Sequence, residues 1–177
     1  MTASIAPVQE FGGAPSFEEL GKRATEVVHK AILRGLSVGT AESCTGGLVS
    51  GALTSVPGSS EVVKGGVVSY AISVKHAVLG VQSAILDEPS LGAVSGQCAT
   101  QMADGAARVL DADIAVSVTG IAGPGGEEPG KPVGTVWFGI HGPSGTRSEL
   151  HTFSGNRSEV RRQAVWVALG LVCEELA

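Results

Sequence analysis

Residues 36–47 read LSVGTAESCTGG, and the fold turns on how the middle of this stretch is taken. Residues 36–41 form an apolar run of strand length. Glu42-Ser43-Cys44-Thr45 follows, and Gly46-Gly47 then opens a helical stretch that reaches Leu53. A strand passing through a glycine turn into a helix is half of a repeating unit that builds sheets covered by helices. The turn also gathers a carboxylate, hydroxyls and a thiol. A helix starting there presents N–H groups with no intrahelical partner, which suit a phosphate or an oxyanion. The same residues also suit plain helix capping, with Ser43 or Thr45 as the cap.

Working outward, Leu20, Ala24, Val27, Val28, Ala31 and Ile32 recur at helical spacing over residues 17–34. Ser16 is placed to cap that helix and Gly35 to end it. Downstream, a turn at residues 57–60 precedes a β-branched strand over 62–70, where Gly65-Gly66 signals a bulge or a close backbone contact. A short helix is expected over 75–79, a longer one over 95–110 and a buried strand over 114–119. Strands over 135–140 and 147–153 form a hairpin about Pro143-Ser144-Gly145, and a helix over 158–175 closes the chain. Strands alternating with helices, ending in a hairpin, predict an α/β domain with a mixed β-sheet covered on both faces. Residues 16–177 are read as one domain, preceded by a flexible tail at 1–15 that has none of the marks of a signal peptide.

Composition supports this. Of 177 residues 43% are hydrophobic, only 4% are aromatic and 26 are Gly, so the core is built from Val, Ala, Leu and Ile with many tight turns. A net charge of -5 argues against a nucleic-acid partner, which calls for a positive surface. It leaves room for a small anionic ligand held by a few oriented donors. No uninterrupted apolar stretch is long enough to cross a bilayer. The three cysteines, Cys44, Cys98 and Cys173, are odd in number and widely spaced, which makes the reducing cytoplasm the default location.

Ligands of open α/β sheets collect beyond the carboxyl ends of the strands. Two loops leave such ends, ESCTGG and GIAGPGGEEPGKP (residues 120–132), and they share a crevice if their strands are neighbours. A serine nucleophile there needs a base. His29, His76, His141 and His151 come with no obvious orienting carboxylate at the right place, so a Ser-His-Asp triad has little support. A desolvated lysine can serve instead. Lys75 ends the largely uncharged VVSYAISVK, with Tyr70 five residues earlier to orient the amine or relay its proton; the alternative is a solvated surface lysine.

Cys44 is a rival nucleophile, since a helix N-terminus lowers a thiol pKa, although small buried cysteines are common. Residues 125–131 match the GxxxxGK part of a phosphate-binding loop, but Pro132 stands where Ser or Thr is required and a strand follows in place of a helix. Arg157 and Arg161, four apart and hence on one face if the last helix includes both, present two guanidiniums to a ligand phosphate or to a subunit interface. No cluster has metal-ligand spacing.

TAESCTGG, the YxxxxK of Tyr70 and Lys75, SVTGIAGPGG, KPVGTVWFGI and FSGNRSEVRRQA occur in that order over residues 17–175. Together they resemble the CinA C-terminal domain family, the nicotinamide-nucleotide amidohydrolases. The resemblance implies a three-layer α/β/α sandwich with a mixed β-sheet. It implies hydrolysis of the carboxamide of nicotinamide mononucleotide, with Ser43 as nucleophile, Lys75 as its activator and Tyr70 assisting. Substrate contacts are expected from Glu42, Thr45, Gly46, Gly47, Thr119, Gly120, Gly123, Gly125 and Arg161, with no metal and no cofactor. The partner is a small pyridine nucleotide, with neither nucleic acid nor membrane, in a homo-oligomer (dimer or trimer). Where the family often has Ser-Asn-Glu-Ala between the tyrosine and the lysine, this chain has Ala71-Ile72-Ser73-Val74. That departure motivates an alternative, a catalytically silent nucleotide-binding or regulatory module. The pyrophosphatase activity of the family's longer, two-domain members is not carried over.

Overall fold

The computed structural model describes residues 13–177, so most of the expected tail lies outside the described part. Ser16 opens the first helix, α1 (Phe17–Arg34): its hydroxyl accepts the Glu19 N–H while the Glu19 carboxylate accepts the Ser16 N–H. Gly35, at φ 64°, ends it. There follow β1 (Val38–Glu42), α2 (Leu48–Thr54), β2 (Val63–Val68), α3 (Ile72–Ala77), α4 (Ser83–Leu86), α5 (Gly96–Leu110), β3 (Ile114–Gly120), β4 (Thr135–Gly142), β5 (Gly145–Thr152) and α6 (Arg157–Glu175).

The sheet runs β2-β1-β3-β4-β5. β1 is parallel to both β2 and β3, while β4 and β5 are antiparallel additions at one side. The mixed three-layer sandwich is therefore as expected. Val38, Ile114, Val116, Val118, Val136, Phe138 and Ile140 meet α1, α2 and α6 on one face. Ala41 and Ala115 meet Cys98, Met102 and Ala106 of α5 on the other. Each large apolar side chain buried this way contributes about 2 kcal/mol. Central parallel strands are covered twice, which is why every residue of β1 is buried.

Gly65-Gly66 turns out to be both a bulge and a close contact. The register slips between Val38 and Gly39, and a Cβ on Gly66 would stand 2.1 Å from the Ser50 hydroxyl and 2.5 Å from that of Thr40. Details of the segmentation differ from expectation. The hairpin turn is tighter, with Gly142 paired to Gly145 around Pro143-Ser144. The four-residue α4 was not foreseen. α3 starts at Ile72, so Lys75 lies inside it rather than at its beginning. The segment after α3 lies flush on α5 at Gly105, where a Cβ would come 2.1 Å from the Leu79 carbonyl oxygen. This contact seats α3 beneath the end of β1.

Candidate active site

Because β1 and β3 are parallel neighbours, the 42–47 and 120–134 loops leave the same edge of the sheet. The Ser43 N–H donates to the Val118 carbonyl at 2.9 Å, carrying the β1–β3 ladder one residue past the strand and fixing the serine backbone. Side chains alternate across a strand. Glu42 accordingly turns toward α2, and Ser43 toward the face where α3 lies.

There Ser43 meets Lys75, whose side chain is only 1% exposed. The Lys75 Nζ lies 2.6 Å from the Ser69 carbonyl, 2.9 Å from the Ser43 Oγ and 3.4 Å from the Tyr70 carbonyl. No carboxylate is among these partners. Burial pushes the lysine pKa below its usual value, since desolvation disfavours the charged form. As an ammonium the group donates to all three oxygens. As a neutral amine it leaves its two N–H groups on the two carbonyls, which can only accept, and turns its lone pair to the Ser43 hydroxyl. The arrangement can therefore take a proton from Ser43 and return it without moving the amine.

The family model for the CinA C-terminal domain matches residues 21–176. The chain belongs to the CinA C-terminal domain family. It is 49% identical over 146 residues to a CinA-like protein of Anaeromyxobacter dehalogenans, covering 82% of this chain and 35% of that protein. It is 45% identical to one from Mycolicibacterium paratuberculosis, covering 90% of this chain and 37% of that one. This CinA domain thus spans about a third of the length of these curated relatives. Among solved structures, the competence/damage inducible protein CihA from Agrobacterium tumefaciens superposes with a TM-score of 0.84 at 40% identity, covering 93% of this chain and 98% of that one. The competence damage-inducible protein A of Klebsiella pneumoniae gives 0.84 at 37%, covering 89% and 96%.

Glu42 of the CinA domain is fully buried and faces no crevice. Its carboxylate accepts from the N–H groups of Gly47 (3.0 Å), Val49 (3.1 Å) and Ser50 (2.8 Å), and from the hydroxyls of Ser50 (2.7 Å) and Thr40 (3.3 Å). It clasps the start of α2 from the preceding strand, so neither Ser43 nor Thr45 is the cap; Gly47 holds that position at φ 94°. A buried carboxylate is tolerated only with such a set of donors, and the expected substrate contact is replaced by this role. Gly46 and Gly47 are also committed through their backbones: the Gly46 N–H donates to the Ser43 carbonyl at 3.1 Å, and that of Gly47 to Glu42.

Tyr70 presents its carbonyl, not its hydroxyl, to Lys75. The ring is 62% exposed, and its hydroxyl accepts from Arg157 Nη2 at 3.1 Å. Arg157 Nη1 donates to the Gly123 carbonyl at 2.9 Å, so Tyr70, Arg157 and Gly123 form a chain across the mouth of the site. Arg161, expected to meet substrate, instead donates from Nε to the Cys44 carbonyl (3.0 Å) and from Nη2 to the Thr45 carbonyl (2.8 Å). Four residues separate the two arginines, one helical turn, and that turn separates their tasks.

The remaining candidates divide. Thr45 is buried, and its hydroxyl has no partner among the described residues. Thr119 donates its hydroxyl to the Ala93 carbonyl at 2.6 Å, and Gly120 packs so tightly on β4 that a Cβ would stand 2.6 Å from the Thr135 carbonyl oxygen; both build the floor. Gly123 brings its carbonyl to the mouth and Gly125 has open space around it. The Cys44 thiol packs in the core on the α1 and α6 side, where burial pushes it up to about 11, which removes it as a nucleophile at neutral pH. His141 lies 2.8 Å from Asp104, but it pairs with Ala115 near the start of β3, remote from Ser43. Among the described residues no helix is long and apolar enough to cross a membrane.

Proposed function

We propose that this CinA domain hydrolyses the carboxamide of nicotinamide mononucleotide, giving nicotinate mononucleotide and ammonia, with Ser43 as nucleophile and Lys75 as general base. The observation that carries the proposal is the 2.9 Å approach of a buried, carboxylate-free lysine to a serine hydroxyl at the carboxyl end of β1. Neutral Lys75 accepts the Ser43 proton as Oγ bonds to the carboxamide carbon. The tetrahedral intermediate then collapses: the carbon–nitrogen bond breaks and the ammonium of Lys75 gives its proton to departing ammonia. An acyl ester remains on Ser43. Water, deprotonated by the same amine, cleaves it and returns the proton to Ser43. The carbonyls of Ser69 and Tyr70 accept from the amine in both states, so they hold it in place throughout. The Tyr70–Arg157–Gly123 chain supplies the mouth, and Arg157 is the guanidinium placed to meet a phosphate.

The test is ammonia release from nicotinamide mononucleotide by the purified protein. Ser43→Ala and Lys75→Ala are each expected to lower it by about 10³-fold or more. Binding of the nucleotide with no ammonia released would make the domain a nucleotide-binding module. Release that survives Ser43→Ala would place the nucleophile elsewhere.

A further inference from the structure

We infer that Arg161 is a positioning residue that builds the oxyanion hole, rather than a contact to the substrate; the inference rests on Ser43 being the nucleophile. A peptide group is planar and trans, so its C=O and N–H point in opposite directions. Arg161 grips two consecutive carbonyls, those of Cys44 and Thr45, and draws both toward α6. The N–H groups on the far side of those two peptide planes, belonging to Thr45 and Gly46, are thereby turned away from α6. That of Gly46 closes back onto the Ser43 carbonyl. Among the described residues nothing accepts from the Thr45 N–H.

The turn is braced from the other end as well. Glu42 takes the N–H groups of Gly47, Val49 and Ser50, so the donors at the start of α2 are spent. The Thr45 N–H, two residues past Ser43, is thus an unspent donor beside the nucleophile, and its direction is set by the grip of Arg161 on the Cys44 carbonyl. A donor held before the reaction and aimed at the developing charge stabilises the tetrahedral intermediate without reorganising. Arg161 also carries its positive charge to the carbonyl side of this peptide, where it polarises the N–H on the opposite side.

A guanidinium can hold two carbonyls in a fixed fork; an ammonium is a single point. Arg161→Lys and Arg161→Gln are therefore expected to lower kcat for the carboxamide by about 10²-fold while KM changes less than about threefold. A contact to the substrate phosphate predicts the reverse split: a raised KM with kcat kept, vanishing when the unphosphorylated nucleoside is used. Unchanged kinetics, or a loss confined to KM, overturns the inference.

Labelling of Ser43 by a fluorophosphonate, whose phosphoryl oxygen occupies the same hole, gives a readout independent of substrate. Slower labelling in both variants, at unchanged melting temperature for the lysine variant, supports the role. Equal labelling of wild type and variants overturns it. If the wild type is neither labelled at Ser43 nor active, the Ser43–Lys75 reading itself has failed, which is a different result.

Discussion

Lys75 and Lys131 begin from the same contact and end on different partners. Each sets its Nζ 2.6 Å from a backbone carbonyl, Ser69 for one and Leu91 for the other. Lys131 then reaches the Glu128 carboxylate at 2.8 Å, and Lys75 reaches the Ser43 hydroxyl at 2.9 Å. A carboxylate can only accept, so it takes the amine as a donor; a hydroxyl can donate as well as accept. The loop whose spacing imitates a phosphate cradle thus spends its lysine on an ion pair across the Glu128–Lys131 backbone bridge. The unremarkable VVSYAISVK stretch supplies the amine that can act as a base. The two lysines thus differ in their third partner and in burial, Lys75 being the more deeply enclosed.

The sharpest way to break this contrast is Lys75→Met. Ammonia release is expected to fall by about 10³-fold. The same variant also has a signature in stability. The folded pKa of Lys75 lies below the unfolded one, so between the two the unfolded chain binds more protons and stability rises with pH. That rise begins at the lowered folded value and ends near the ordinary lysine value of about 10.4. Urea midpoints measured across this window should climb for wild type and stay flatter for Lys75→Met. Parallel curves would mean that the amine is not displaced from its ordinary value.

Next in size is Glu42→Gln, which probes why a carboxylate one residue from Ser43 does not do to Lys75 what Glu128 does to Lys131. An amide cannot accept at both ends, so some of the five donors lose their partner. A loss of about 2 kcal/mol is expected from denaturant titration. The pH midpoint of activity should stay where it is, because the carboxylate is satisfied by α2 and not by the lysine. A midpoint shifted toward lower pH would show that its charge reaches the amine after all. The smallest effect belongs to Lys131→Met: within about 1 kcal/mol in stability, with ammonia release within about twofold of wild type.

Much of this was legible in the sequence because it depends on local pattern. The β1–turn–α2 unit follows from an apolar run ending at two glycines, and the shared crevice follows from β1 and β3 being neighbours. The pairing of Ser43 with Lys75 came from the family resemblance, since a solvated lysine fits VVSYAISVK equally well. Other features depend on contacts that no local pattern encodes. Arg161 meets carbonyls 116 and 117 residues away, and nothing in SGNRSEVRRQA separates its task from that of Arg157. Glu42 looked like a group for a ligand because its donors are backbone N–H groups, which carry no side-chain signature. The direction of the Tyr70 hydroxyl is set by Arg157 from the far end of the chain. α4, at four residues, is too short for any periodicity to declare it.

Gly105 has no reactive atom and sits within α5, yet it governs where the Lys75 amine is held. The Leu79 carbonyl occupies the space that a methyl at 105 would need, and the Val81 N–H beyond it donates to the carbonyl of Lys75 itself. Adding that methyl lifts the segment, and the amine rides with it. The Ser43–Lys75 spacing thus has a mechanical adjustment remote from both residues: one small residue can alter it while every group around the amine stays the same.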